Sequence, residues 1–412
     1  MTSNALGSGS RPMLASVTKY IPHAGIPHAG GQYLLSHYSA LQSEFDMRFI
    51  APDTSDNRSA STLFGQGERT ALVTGRGLLR GGRFKLLGDL ESAWAGSAVT
   101  RNVRTAFAHG DAPWRVLEQA DLIEFQWSEM MALAPLVRAR LPRTPLVGIA
   151  HDVITQRWNR AAQTSAGPMR VAYRMAARRS APRETRSFSA LDRVVAFSDK
   201  DAALIREMEP SVRVETVLPG LGPLPGHAVV RNEDPAAPVV LFTGALNRAD
   251  NHNGVVWFLE QVWPRVASEA PSARFVIAGA HPRPALARLV DRLPRVELTG
   301  FVDSLEPYYA SATVFVAPIF TGAGVKFKTI DAMLRSVPIV ATPVGAEGID
   351  GPDVFAAVTD DADIFASAVV GTLRSPDVDA TARAARWAED HYGLRAFGGR
   401  LRGVYEDVLQ SA

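Results

Sequence analysis

The sequence predicts an α/β protein of two domains, each a doubly wound parallel sheet covered by helices. Three observations carry that expectation. Short apolar runs recur along both halves, and in the second half those at 239–244, 274–279 and 295–300 stop at glycine, as strands buried on both faces do. A helical stretch fills most of the gaps between them, which makes the series βαβ. A stretch dense in proline and glycine, residues 219–238, divides the chain nearly in half and reads as a linker.

The elements follow in chain order. Residues 1–12 are Ser/Gly-rich and read as a frayed tail without the apolar centre of a secretory signal. Residues 14–18 are a first strand, 32–44 a helix and 47–50 a second strand. Residues 52–112 carry weak periodicity and many Gly and Arg, and no element is assigned there. Strands follow at 121–125, 145–150 and 193–198, the last leading into a helix from Asp199. In the second half strands are expected at 239–244, 274–279, 295–300, 314–318 and 338–342, with helices at 255–267, 284–293 and 329–335. The domains are thus 13–218 and 239–385. Leu394, Phe397, Leu401, Val404, Tyr405 and Leu409 are spaced for one helical face, so residues 386–412 are expected to cross back and brace the first domain.

Composition bounds the function. The 412 residues are 46% hydrophobic and 21% charged, with 44 Lys plus Arg against 42 Asp plus Glu and a net charge of +2. Such a chain buries cores rather than remaining disordered, and it lacks the basic excess of a dedicated nucleic-acid binder. It has no cysteine, which excludes a disulfide scaffold, a thiolate zinc site, an iron–sulfur cluster and a catalytic thiol. No run approaches the roughly 18 apolar residues of a membrane span, so a soluble, cytoplasmic protein is expected. The near-neutral total hides a split: residues 1–220 hold 27 basic and 20 acidic side chains (+7), residues 221–412 hold 17 and 22 (−5).

Ligands bind doubly wound sheets at the carboxyl ends of their strands, so the loops there are the candidate chemistry. Gly322, Ala323, Gly324 and Val325 follow a strand, and Lys326 and Lys328 lead into a helix. Glycines let a ligand approach the backbone, helix-start amides attract anions, and two lysines add compact positive charge. The guest this chemistry suits is a phosphate or diphosphate. Only five of the 44 basic residues are lysines (Lys19, Lys85, Lys200, Lys326 and Lys328), so the pair is conspicuous. Phe327 breaks a dinucleotide fingerprint and Val325 breaks a P-loop, so hydride transfer and NTP hydrolysis lose weight. Asp331, one turn on, suits ribose hydroxyls and equally suits a helix first turn. Gly30 and Gly31 open a helix after a loop that contains PHAG twice, and His151 directly follows a strand. His23 and His28 have no third partner to make a metal site. Asp361 and Asp377 read as helix caps rather than metal ligands. The basic, apolar stretches 75–88 and 170–186 suit either an anionic membrane or acceptor, or a solvated helix face, and the sequence favours the solvated face.

The second half resembles the large family-4 group of retaining glycosyltransferases, which have the GT-B fold of two Rossmann-like domains facing across a cleft. The resemblance is carried by Phe242-Thr243-Gly244, Asn251 in the loop that follows, Trp257-Phe258, Gly300-Phe301-Val302-Asp303, the run from Gly322 to Met333 and the run from Val340 to Gly348. The first half is similar at Ala29-Gly30-Gly31, His151-Asp152 and Ala196-Phe197-Ser198-Asp199. The resemblance implies that Gly322, Ala323, Gly324 and Val325 with Lys326 and Lys328 hold a donor diphosphate, and that Asp331 binds the ribose. Gly300, Phe301 and Val302 would border the base, with Gly244 and Asn251 nearby. Gly30 and Gly31 would approach the diphosphate from the other domain, and His151 would touch the transferred sugar.

Departures stand at Asp331, where members usually have Glu, and at Lys326, where they often have Arg. Ala245 and Asn251 replace an Arg and a Lys common in relatives. The implied activity is transfer of a sugar from a nucleotide-sugar donor, with retention, to a sugar, lipid-linked or small-molecule acceptor. No metal or further cofactor is expected, and peripheral contact with a membrane is compatible with the basic first half. The rival readings are a nucleotide-sugar epimerase or phosphorylase of the same fold, and a non-catalytic sugar-nucleotide-binding pseudo-transferase.

Overall fold

The computed structural model describes residues 11–23, 29–64, 69–73, 101–164, 166–221, 236–321, 326–349 and 353–411. Residues 1–10 of the tail, the 75–88 stretch, most of the 219–238 stretch, His28, and Gly322, Ala323, Gly324 and Val325 lie outside the described residues. The chain forms two compact units, Met1–Pro219 with Phe397–Ala412, and Gly220–Ala396.

The first unit is built on a seven-stranded sheet of β1 (Met13–Val17), β2 (Asp46–Pro52), β3 (Thr70–Val73), β4 (Leu122–Gln126), β5 (Leu146–Ala150), β6 (Arg193–Ala196) and β7 (Arg213–Thr216), in the order β3-β2-β1-β4-β5-β6-β7. The second is built on β8 (Val239–Thr243), β9 (Arg274–Ala278), β10 (Val296–Gly300), β11 (Val314–Ala317), β12 (Ile339–Ala341) and β13 (Ala357–Val358), in the order β10-β9-β8-β11-β12-β13. All pairings are parallel. β4, β5 and β8 are buried at every position, because helices cover both faces of each sheet. In both units the strand order reverses beside the first strand, between β1 and β4 and between β8 and β11. There the connections leave to opposite faces and open a crevice at the strands' carboxyl ends. This is the two-Rossmann-like GT-B architecture expected from the sequence.

Several elements differ from the sequence reading. The unassigned 52–112 region contributes the Ser55–Leu63 helix, β3, the Arg101–His109 helix and the start of the Ala112–Leu117 helix. The Thr54 hydroxyl caps the first of these by accepting from Asn57 N–H. The helix expected at 32–44 spans Ala29–Leu41, so it begins with Gly30 and Gly31 inside it. The one expected at 255–267 begins earlier, at Ala249, and runs through a π-turn over Phe258–Val262 into Trp263–Glu269. Pro264 has no N–H to donate and its ring crowds the carbonyl four residues back, so the ladder widens just before it. Asp361 and Asp377 cap helices, accepting from the backbone of Asp363 and Ile364 and of Ala380.

The Leu394–Gln410 helix buries Phe397, Leu401, Val404, Tyr405 and Val408 in the core of the first unit, among Leu14, Tyr33, Phe49 and Val147. Burial of each large apolar side chain contributes about 2 kcal/mol. The helix also completes a buried polar cluster. Glu124, inside β4 and fully buried, accepts from the Tyr405 hydroxyl and lies 3.1 Å from His37 Nε2. Gln126 Nε2 donates to Glu124 at 3.1 Å. Burial alone would raise the Glu124 carboxyl; His37 and Tyr405 outweigh it and hold the group below the ordinary glutamate value.

Candidate functional site

The switch point of the second sheet gathers the residues expected from sequence at an anion site. Gly244 ends β8 with φ 150°, and a Cβ there would lie 2.8 Å from Asn251 Nδ2 and 3.1 Å from Lys328 Nζ. Glycine at this position therefore leaves room for two side chains that converge from different helices. Asn251 was expected in a loop, but it sits in the first turn of the Ala249–Trp257 helix, 3% exposed. Its Nδ2 donates to Ala245 O at 2.9 Å, which fixes the carboxamide so that Oδ1 accepts from Lys328 Nζ. That helix can come so close because Gly254 lies on the carbonyl of Pro318, where any Cβ would sit 1.9 Å from the oxygen.

Lys328 lies in the first turn of the Phe327–Leu334 helix, with Nζ 4.8 Å from the centre of the Phe242 ring. Burial pushes its ammonium down to about 7, with Arg248 and Lys326 acting in the same direction and Asp250 against them. Lys326, 10% exposed in its side chain, pairs with Glu347 at 3.1 Å. The helix is pinned from behind, where Thr329 Oγ1 donates to Gly345 O at 3.1 Å. Thr342 Oγ1 accepts from Ile319 N and Gly345 N, tying the loop after β11 to the loop after β12.

Asp331 follows one turn on, and its carboxylate accepts from Arg335 Nη1 at 3.0 Å. Arg335 is itself gripped by both oxygens of Glu306 and lies 4.7 Å over the Tyr309 ring, whose hydroxyl meets Thr243 Oγ1 at 3.0 Å. The sequence reading named Asp331 without this support; the i, i+4 spacing of Asp331 and Arg335 was the available signal. At the end of β10, Gly300 adopts a left-handed φ of 70°, Phe301 is 62% exposed and Val302 is half-buried.

In the first unit, Gly30 and Gly31 lie in the opening turn of the Ala29–Leu41 helix, and Gly31 is buried. The same helix carries Tyr33, which packs edge-on to His151 at 4.8 Å. His151 is stacked on Trp127 at 4.6 Å and flanked by Phe197 at 4.8 Å. Trp127, just past β4, has φ 71°, a conformation costly for a bulky residue and one that turns its indole onto the imidazole. Beside it Glu129 pairs with Lys19 at 2.9 Å and Arg157 at 3.1 Å, and Arg157 also holds Asp152 at 2.7 Å. Asp152 and Phe197 were named from sequence within the family resemblance, but Tyr33, Trp127, Glu129 and Arg157 were not, because they converge on His151 from separate elements.

The structure thus brings Gly244, Asn251, Lys326, Lys328 and Asp331 to one switch point, with Gly300, Phe301 and Val302 at the end of a further strand of the same sheet. Gly30, Gly31 and His151 gather at the switch point of the other unit. Among the described residues, no group of three or more His, Asp or Glu is placed to hold a metal ion.

Comparison with known proteins bears on the fold and on the second domain. Residues 237–375 match the family model described as Glycosyl transferases group 1. An uncharacterized 44.6 kDa protein of the Klebsiella pneumoniae cps region is 31% identical over 116 residues, which span 26% of this chain and 30% of that relative. The match therefore spans less than a third of the curated relative's length. Among solved structures, sucrose-phosphate synthase from Thermosynechococcus elongatus superposes with TM-score 0.62 at 13% identity, covering 97% of this chain and 100% of that one. Anabaena HepE in complex with UDP gives 0.57 at 14% identity, covering 96% and 100%, and HepE in complex with UDP-glucose gives 0.55 with the same identity and coverage. The fold is therefore GT-B, and its second domain is similar, over residues 237–375, to the group 1 glycosyl transferases.

Proposed function

We propose that this protein is a retaining glycosyltransferase that moves a sugar from a nucleoside-diphosphate donor to an acceptor hydroxyl without a metal ion. The observation that carries the reading is the convergence of Lys328, Asn251 and Gly244 at the switch point of a domain similar to group 1 glycosyl transferases. HepE, of the same fold, is solved with UDP and with UDP-glucose, which supports a nucleotide-sugar as donor class.

As the bond from the anomeric carbon to the diphosphate oxygen breaks, negative charge grows on the leaving phosphate. Stabilising it requires cationic donors aimed at that oxygen in a site shielded from water. Lys328 and Lys326 supply them, together with the amides that open the Phe327–Leu334 helix. Asp331, held by Arg335, accepts from the ribose hydroxyls. The acceptor oxygen bonds to the anomeric carbon on the face the diphosphate leaves, and its proton passes to the departing phosphate oxygen. No enzyme nucleophile is needed. His151, fixed by Trp127, Tyr33 and Phe197, contacts the sugar being transferred.

The test is a panel of nucleotide-sugars assayed for donor hydrolysis and transfer in the presence of EDTA, with the product anomer read by NMR. Turnover with retention, lost in Lys328→Ala, is expected. Epimerised donor or phosphate-dependent glucan breakdown would replace the reading with another activity of this fold. Donor binding without turnover would make the protein a pseudo-transferase.

A further inference from the structure

The first unit carries a surface outside the residues assigned to the proposed transfer. The Gly167–Phe188 helix holds six arginines, Arg170, Arg174, Arg178, Arg179, Arg183 and Arg186, and a single acidic residue, Glu184. Glu184 is buried and turned inward, where it accepts from Ile154 N at 2.7 Å and from Thr155 N at 2.9 Å, capping the neighbouring Ile154–Thr164 helix. Ala176, Ala177, Ser180, Ser187 and Phe188 form the rest of the buried face, and Tyr173 stacks on Trp158 of that neighbour. The opposite face is an exposed stripe at i, i+3, i+4, i+7 and i+11 spacing: Val171, Arg174, Met175, Arg178 and Pro182. Val171 is 57% exposed, Met175 42% and Met169, near the start of the helix, 52%. Among the described residues no carboxylate pairs with Arg170, Arg174, Arg178, Arg183 or Arg186.

The geometry points to this face as a docking surface for an anionic phospholipid bilayer, with Val171 and Met175 entering the headgroup boundary and the arginines lying on the phosphates. The charge complementarity is explicit, since the helix presents cations and no exposed anion, in the half of the chain with a balance of +7 (27 basic against 20 acidic). A second copy of the same face would meet it with like charge. A nucleic acid would satisfy the arginines but gives no reason for flexible methionine and valine side chains to stand in water between them. Long arginine stems lying along apolar neighbours with their heads at the phosphates are the usual arrangement of an interfacial helix. The inference is independent of the proposed donor chemistry, because the helix contributes no residue to either switch point.

The experiment is co-sedimentation of the full chain with vesicles of phosphatidylcholine alone or of equal phosphatidylcholine and phosphatidylglycerol, at low and at physiological salt. Binding to the anionic vesicles only, weakened by salt, is expected. Arg174→Glu with Arg178→Glu should lower the partition coefficient at least tenfold, and Val171→Ser with Met175→Ser severalfold, with thermal melts unchanged because all four side chains are exposed. Equal binding to neutral vesicles, or no loss in the arginine variant, overturns the assignment. So does homopolymer RNA binding that needs the arginines but is indifferent to the Val171 and Met175 changes, when vesicles are not bound.

Discussion

Lys328 Nζ donates to the carboxamide oxygen of Asn251, 77 positions away in sequence, directly beside the Cα of Gly244. A side chain at residue 244 would push both polar ends out of this position. Gly244→Ala adds a Cβ at 2.8 Å from Asn251 Nδ2 and 3.1 Å from Lys328 Nζ, at a φ of 150° that alanine resists. The expected result is a stability loss of about 1 kcal/mol or more and donor binding weakened roughly tenfold, measured by urea unfolding and by titration calorimetry with UDP. Unaltered donor affinity would place the anion elsewhere.

The Lys328 proton leaves near pH 7 in the free protein and at about 10.4 in the unfolded chain. Because the folded value is depressed, the unfolded chain binds more protons between these limits, and this group makes folding more favourable as pH rises through that window. Donor binding runs the other way, since the diphosphate needs the ammonium. Affinity should fall as pH rises above about 7, by up to roughly tenfold per unit, and binding at pH 8 should take up close to one proton. Calorimetry in buffers of different ionisation heat reads the uptake directly. Lys328→Met should abolish the pH dependence and weaken binding by about 1.5–3 kcal/mol. A flat affinity from pH 6 to 9 in the unsubstituted protein would contradict the assignment.

Arg335 holds the Asp331 carboxylate at 3.0 Å, and the proposed function gives that carboxylate the ribose hydroxyls. Asp331→Ala should weaken a nucleoside diphosphate by about 1.5–3 kcal/mol and leave its 2′,3′-dideoxy analogue, weak already, unaffected. Parallel losses for both ligands would assign Asp331 a purely structural part. Asp361→Ala is the contrast, since it removes a helix cap at a cost of about 1 kcal/mol with no expected change in donor affinity.

Tyr405→Phe takes one donor from the buried Glu124 carboxylate. The expected cost is about 1–3 kcal/mol, seen as a lower urea midpoint for the first unit. Glu124 is held below its ordinary value, so its contribution is present above about pH 4.3 and is lost as pH falls through the folded value. The gap between the variant and the unsubstituted protein should therefore close in acid. An unchanged midpoint at pH 7 would show that the hydroxyl is dispensable to the cluster.

Much of this molecule was legible from local pattern. The strands β1, β2, β4, β5, β6, β8, β9, β11 and β12 announced themselves as apolar runs, with glycine directly after β8 and β9, and Asp361 and Asp377 as caps, because burial on both faces and helix ends impose their own short-range residue choices. The scarcity of lysine drew attention to Lys326 and Lys328 before any contact was known. Among the described residues, three of the four edge strands were missed: β3, Thr70–Val73, is four residues in the unassigned stretch, β7, Arg213–Thr216, is half-exposed and charged, and β13 is two residues long, so none has a periodic run to read. Helix starts were misplaced where glycines or Asn251 stood in the first turn, since those residues favour turns when judged alone.

The sequence by itself determined two doubly wound domains and the loops from which an anion site had to be built, since the alternation of strand and helix is encoded in periods of two and 3.6 residues. Only the tertiary structure decided which side chains meet: Asn251 and Lys328 beside Gly244, Glu306 and Asp331 on Arg335, Trp127 on His151, and Tyr405 on Glu124 across 281 positions. Apart from Asp331 and Arg335, one turn apart on a single helix, each of those pairings joins segments that are brought together by the order of strands in a sheet, and the depressed Lys328 ammonium follows from the burial that results. Local residue patterns carry no record of such neighbours, because the free energy that places them belongs to the packed sheet and its crevice rather than to any one segment.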